Sequence, residues 1–301
     1  MLKHLFNFII FPGFLFTAVV GLAASWIDRK VTARVQWRVG PPWYQPLADL
    51  VKLSIKEITI PKNASKVVFL LAPLFGLSAV ILAATFIWQA NIQLGASGFT
   101  GDIVVILYLL TLPAIALILG SSASGNPLAS LGVSREIKLM LAYELPFIIC
   151  IIVPIIKSSG FLKMTDLIAF QAINGVFVSN ISGILAILVA VFCMQAKLGL
   201  VPFDMAEAET EIMGGIYIEY SGILLAVLKL TKTIMMVALP VFLSSIFWGG
   251  FSVWKYVVLL VVMILMRNTN PRVRIDQALR FFWYRMTSLA IIAVLLATLG
   301  M

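Results

Sequence analysis

Four carboxylates crowd into the stretch from residue 204 to residue 211: Asp204, Glu207, Glu209 and Glu211. A fifth, Glu219, follows closely. Such a cluster can hand protons or cations from group to group if it reaches membrane depth, whereas on a solvated face it does no more than keep a loop in water. Glu219 stands at the start of an apolar run, between Gly214-Gly215 and Ser221-Gly222, small residues that permit close helix packing or local unwinding. Glu144, in Ala-Tyr-Glu-Leu-Pro, and the two lysines Lys229 and Lys232 lie inside other apolar runs. An ionisable group at membrane depth costs about 2.5–3.5 kcal/mol on insertion scales, so it normally faces a wet or protein-lined interior. Lys229 and Lys232, three residues apart, occupy neighbouring helix positions. With Glu219 and Glu144 they can form a carboxylate and ammonium relay whose proton affinities shift with nearby charge. The same residues would equally serve as helix-bridging ion pairs without a transport role.

Other chemistries find no support. Cys150 and Cys193 are isolated in apolar runs and His4 is the single histidine, so no metal-ligand spacing exists. Nucleophile–base constellations, Walker loops and dinucleotide fingerprints are missing from the sequence. The expectation is a chain with no catalytic site, metal or cofactor of its own.

The elements that would position these groups are helices in lipid. The sequence is 61% hydrophobic and 12% charged, against roughly half apolar and a quarter charged in soluble domains. Apolar runs long enough to cross a bilayer lie near 5–27, 66–90, 102–122, 135–157, 180–201, 217–247, 250–267 and 283–300. The fold class is therefore all-α: one polytopic membrane domain, 1–301, of about eight transmembrane helices with amphipathic segments on the cytoplasmic side. Trp26, Trp88, Trp248, Trp254 and Trp283 fall near span ends, where indoles prefer to sit. The net charge of +9 comes from basic residues in short stretches between apolar runs, a positive-inside pattern rather than a nucleic-acid surface. Sixteen of the 22 Lys and Arg residues fall on the first, third, fifth and seventh loops or their span ends, Lys197 among them. Those loops face the cytoplasm, and an even helix count leaves both termini outside. The first run could be read as a secretory signal, but it is near full span length and precedes Arg29, Lys30, Arg34 and Arg38, which favours a retained helix. No inverted repeat of the symmetric-transporter kind is found.

Three extramembrane segments follow from this layout: 28–65, the acidic 202–216, and 268–285. In the first, Pro46 can begin a surface helix on which Leu47, Leu50, Val51, Ser54, Ile55 and Ile58 make a mostly apolar stripe, a platform for the membrane surface or a peripheral partner.

Asp28-Arg29-Lys30, Ala33-Arg34, Gln36, Arg38, Gly40-Pro41, Gln45-Pro46-Leu47-Ala48-Asp49, Lys52-Leu53 and Lys56-Glu57 resemble the hallmark of the H membrane subunit of complex I, the respiratory NADH dehydrogenase. Pro202-Phe203-Asp204, Glu207-Ala208-Glu209, Glu211 and Glu219-Tyr220-Ser221-Gly222 resemble its second hallmark, and Arg272 to Arg280 its last cytoplasmic loop. Members of that family join a peripheral redox arm to a membrane ion-pumping arm. The resemblance implies that Glu207, Glu209 and Glu211 line the entry to a charged path, with Asp204 beside them and Glu219 and Glu144 continuing it inward. Lys229 and Lys232 extend it by inference from burial. It also implies that Arg29, Arg34, Arg38, Gln45, Asp49, Lys52, Lys56, Glu57, Arg272, Arg274 and Arg280 form the docking face for the peripheral arm.

Two departures refine the resemblance. Quinone-using relatives carry a longer glycine-rich insertion where this chain has Pro42-Trp43-Tyr44 alone. The stretch 120–136, ending in Gly132-Val133-Ser134-Arg135-Glu136, looks like the corresponding loop of energy-converting membrane hydrogenases. Both favour the anchor subunit of a membrane-bound [NiFe] hydrogenase in the plasma membrane, coupling ferredoxin-driven proton reduction to H⁺ or Na⁺ export. Its [NiFe] centre and iron–sulfur clusters would lie in partner chains: hydrogenase-like large and small subunits and an iron–sulfur subunit. Antiporter-like membrane subunits would complete the complex, with no nucleic-acid partner. The alternatives are a quinone-site subunit of a complex I-type oxidoreductase, a ferredoxin-dependent sulfur-reducing relative, and a stand-alone secondary ion transporter.

Overall fold

The structure, a computed structural model, describes residues 2–92 and 98–300; the side chains of residues 2–4, Glu209 and Thr210 lie outside that description. The described residues form helices and no strands: α1 (Leu2–Ile9), α2 (Phe14–Val35), α3 (Gln45–Ile55), α4 (Lys66–Ile92), α5 (Asp102–Ser122), α6 (Pro127–Lys157), α7 (Met164–Asn174), α8 (Ile181–Lys197), α9 (Glu209–Ile212), α10 (Gly222–Phe247), α11 (Val253–Thr269), α12 (Ile275–Arg280) and α13 (Thr287–Thr298). In lipid a backbone N–H or C=O has no water to bond, so an apolar stretch must satisfy its own polar groups as a helix.

Among the described residues, six helical segments are long and apolar enough to cross a membrane: Leu5–Val35, Lys66–Ile92, Asp102–Ser122, Pro127–Lys157, Gly222–Phe247 and Ile275–Thr298. The remaining two predicted spans fold as α8 and α11, each of 17 residues, about 26 Å at 1.5 Å per residue and near the lower limit for a crossing. All eight predicted runs thus coincide with helices. Prolines inside α4, α5, α6 and α10, such as Pro73 and Pro240, are accommodated because neighbouring helices bury them.

The bundle is built around α10, every residue of which from Ile234 to Phe247 is buried. It packs against α2, α3, α4, α8 and α11, while α6 lies along α8 and α13. Helices α4 and α5 run as a close pair.

Several boundaries differ from those read in the sequence. The sixth span begins at Gly222 rather than 217, because a 3₁₀ turn at Gly215–Tyr217 and further turns carry the chain to Ser221; Glu219 therefore precedes the helix. The fourth starts at Pro127, capped by the Asn126 side chain, which accepts a hydrogen bond from the Leu128 N–H at 2.8 Å. Residues 28–35 continue α2 rather than beginning a loop, and the last span starts at Ile275, inside the segment read as a docking loop. Helix α3 ends at Ile55, so Ile58 is not on its stripe, although Leu47, Val51 and Ile55 are exposed as expected. Trp88 is not an interfacial anchor: it is buried, edge-on to Phe16 at 5.2 Å and Phe251 at 4.8 Å.

Candidate functional site

The acidic segment after α8 folds back into the bundle instead of standing in solvent. Helix α8 ends at Lys197, and the chain reverses through Gly199 at φ +56, a left-handed conformation suited to glycine. A Cβ at Gly199 would lie 3.1 Å from Glu207 Oε1. Its carbonyl accepts a hydrogen bond from Lys232 Nζ at 3.2 Å, and the same ammonium donates to Glu207 Oε1 at 2.7 Å. The Tyr217 side chain lines the same cavities as Glu207 and Lys232. Gly132 of α6 allows this arrangement, since a Cβ there would stand 2.8 Å from the Ile216 nitrogen.

Deeper in the bundle, Lys197 Nζ donates to both oxygens of Glu144, at 2.9 and 2.8 Å. The lysine side chain is 1% exposed and its ammonium lies 5.0 Å from the Phe147 ring centroid and 5.6 Å from that of Tyr143. Charge pairing, hydrogen bonding and the aromatic faces together compensate the loss of water.

Three cavities are lined by these pairs. The first, of about 370 Å³, is lined by Asp28, Arg29, Glu207, Tyr217, Lys229 and Lys232, with Arg267 at its wall. The second is a narrow space of about 50 Å³ that shares Glu207 and Lys232 with the first and adds Glu136 and Lys197. The third is an apolar groove of about 310 Å³ between α5 and α6, whose one carboxylate among the described residues is Glu144. Charged groups thus line the way from the outer chamber, with Glu207–Lys232, through the narrow space that also holds Glu136 and Lys197, to Glu144 at the groove, which Lys197 bonds.

At the chamber mouth Arg267 pairs with Asp28, and Arg29 donates to Asp49 Oδ2 at 2.7 Å while Gln45 donates to Asp49 Oδ1 at 2.8 Å. Partial burial works to raise the proton affinity of Asp49. The hydrogen bonds from Arg29 and Gln45 and the charges of Arg29 and Lys229 outweigh it, so the carboxyl is held below its ordinary value of 3.8.

The predicted path residues separate into groups. Glu144, Glu207 and Lys232 lie on the connected route, and exposed Lys229 lines only its outer chamber. Glu219 accepts a hydrogen bond from Asn126 Nδ2 at 2.5 Å and does not meet the lysines. Asp204 pairs with Arg272 at 2.8 Å, and Glu211 pairs with Arg135 at 2.6 Å on the surface. Glu209 opens α9, its side chain outside the description. Of the docking set, Arg34, Arg38, Lys52, Lys56, Glu57, Arg272, Arg274 and Arg280 are exposed, and Arg29, Gln45 and Asp49 are half-buried.

Sequence reasoning missed Glu136, Tyr217 and above all Lys197, which it counted with the loop charges although it is buried in the last turn of α8. The available signal was its position: a single lysine ending an apolar run that breaks in Gly199 and Pro202.

The NADH dehydrogenase family matches residues 7–298, and the chain belongs to that family, which includes the H membrane component of complex I. It is 32% identical over 297 residues to the H component of NADH-quinone oxidoreductase from Anoxybacillus flavithermus, covering 90% of this chain and 86% of the relative. With the corresponding protein of Thermomicrobium roseum it shares 32% identity over 313 residues, 93% of this chain and 92% of that one. Among solved structures it is similar to a chain of the membrane-bound sulfane sulfur reductase, an archaeal respiratory membrane complex, with 27% identity and a TM-score of 0.88 over 99% of this chain and 100% of the other. This is a membrane subunit of a complex I-like, multi-subunit oxidoreductase.

Proposed function

We propose that the chain couples redox chemistry in a peripheral arm to ion translocation in a membrane arm, as the anchor subunit of a membrane-bound [NiFe] hydrogenase in the plasma membrane with both termini outside. The observation that carries the coupling role is the series of charged side chains, Glu207–Lys232, Glu136 and Lys197–Glu144, that line the cavities between the outer chamber and the α5–α6 groove. Two unit charges 4 Å apart interact by about 4 kcal/mol at an effective dielectric of 20. Neutralising one member of such a series therefore changes the proton affinity of the next by orders of magnitude. On this reading, a proton or cation arriving at Glu207 releases Lys232 from its carboxylate. The freed ammonium charge acts on Glu136, and the Lys197–Glu144 pair carries the change to the groove.

An antiporter-like membrane subunit would cover that groove, where Glu144 becomes accessible. The hydrogenase-like large and small subunits and an iron–sulfur subunit would sit on the exposed residues of the first and last basic loops, holding the [NiFe] centre and clusters; this chain would bind none.

What supports a quinone-independent branch is the character of the chamber behind the first basic loop. Six of its lining residues are ionisable carboxylates, lysines or arginines, whereas a quinone headgroup would call for a mainly apolar slot. The three-residue connection Pro42–Tyr44 leaves Trp43 and Tyr44 exposed instead of folding over the chamber. A second reading, ferredoxin-dependent sulfur reduction without nickel, is favoured by the similarity to the sulfane sulfur reductase chain.

Nickel analysis of the intact complex that co-purifies with this chain in mild detergent separates them. Stoichiometric nickel supports the hydrogenase assignment; an intact complex without nickel rejects it in favour of the sulfur- or quinone-reducing relatives.

A further inference from the structure

A cavity of about 420 Å³, separate from the charged route, opens beside the start of the last span and is lined by Arg280, Arg285, Phe192, Phe203 and Phe281. No carboxylate lines it among the described residues, and neither arginine makes an ion pair or hydrogen bond among them. Both are exposed. Five residues apart, they would stand about 140° from each other on a regular α-helix of 3.6 residues per turn. The chain between them is instead a π-helical turn, Phe281–Met286, whose i to i+5 bonding makes five residues a little more than one turn. The wider turn is what brings both guanidiniums to one pocket.

We propose that this pocket binds the anionic headgroup of a membrane phospholipid. Two unpaired guanidiniums form the planar, multi-donor face that suits a phosphodiester. Phe281 packs against Phe192 at 5.4 Å and Phe203 at 5.9 Å, giving an apolar floor for the glycerol and first acyl carbons. A lipid, rather than an acidic segment of a protein, is favoured by where the pocket sits. Arg285 lies within the membrane-crossing segment Ile275–Thr298, flanked by exposed Trp283 and Tyr284, residues typical of the headgroup level. Further along the same helix Ile291, Ile292 and Leu295 are exposed, a surface matched to acyl chains. An unpaired arginine at this depth otherwise lacks a counter-charge.

The test is native mass spectrometry with phosphorus analysis of the whole complex after exhaustive detergent washing. Wild type is expected to retain an anionic phospholipid that Arg285→Gln loses with all subunits still present. Arg285→Lys, which keeps the charge, should hold it in part. Titration of delipidated complex with phosphatidylglycerol should weaken about fivefold in Arg285→Gln, with no response to phosphatidylcholine. Equal lipid retention in wild type and Arg285→Gln would overturn the proposal. So would displacement of the lipid by millimolar inorganic phosphate, which identifies a free-phosphate site, or loss of a partner subunit with lipid content unchanged, which identifies a protein contact.

Discussion

Lys197 at the end of α8 and Glu144 in the middle of α6, separated by 53 residues of sequence, meet at 2.8 Å with the lysine side chain 1% exposed. The pair closes the inner end of the charged series: the Lys197 ammonium has no water as an alternative partner, while the Glu144 side chain is 21% exposed at the groove.

Removing one partner of a buried pair generally costs about 3–5 kcal/mol, because the other charge is left uncompensated. Glu144→Gln is therefore expected to lower the thermal stability of the purified complex, and Lys197→Met combined with Glu144→Gln to restore most of it. Coupled ion transport in proteoliposomes should stay low in both. Recovery of transport in the double variant would show that the pair is structural.

Glu207 and Glu219 lie in the same segment but in different surroundings, one bonded to Lys232 and one to Asn126. Glu207→Gln should reduce ion translocation per electron about tenfold or more while leaving the complex assembled. Glu219→Gln, away from the lysines, should change it by much less. Ion flux measured against redox turnover decides this, and the reverse order would move the route to Glu219.

Gly132→Val places side-chain carbons where the Ile216 nitrogen already lies within 2.8 Å of the Cβ position. Overpacking of this kind costs about 1–3 kcal/mol. The 3₁₀ turn at Gly215–Tyr217 should shift and draw Tyr217 from Glu207, lowering coupled turnover more than assembly. Unchanged coupling in a stably assembled variant would count against this.

The Arg29–Asp49 pair joins α2 to α3 near the proposed docking face. Asp49 has its proton affinity lowered on folding, so the pair's contribution is fully present above the ordinary carboxyl value of 3.8 and is lost as pH falls through the lower folded value. Peripheral subunits should stay attached equally at about pH 7 and pH 5 on native gels. Asp49→Ala should release them more readily, though modestly, since both partners are partly exposed and such a pair contributes about 0–1 kcal/mol.

Much of the fold was legible because hydropathy is a local property. A run such as 66–90 announces its helix whatever it packs against, and helix α4 follows it within two residues. The surface helix after Pro46 was equally readable from its stripe and its proline. Boundaries failed where tertiary contacts overrode composition: residues 216–220 are held as turns because Ser121 Oγ donates to the Ile216 carbonyl and Tyr220 stacks on Phe69 at 4.5 Å.

By itself the sequence determined that the chain is a bundle of membrane helices and that Glu144 and Lys232 could not rest in lipid unaided, since the cost of burying a charge depends on the residue and its apolar neighbours along the chain. The tertiary structure alone decided the partners. Glu207 meets Lys232 across 25 residues and Glu144 meets Lys197 across 53, because an ion pair is fixed by distance in space, and that distance exists only once α6, α8 and α10 have packed together.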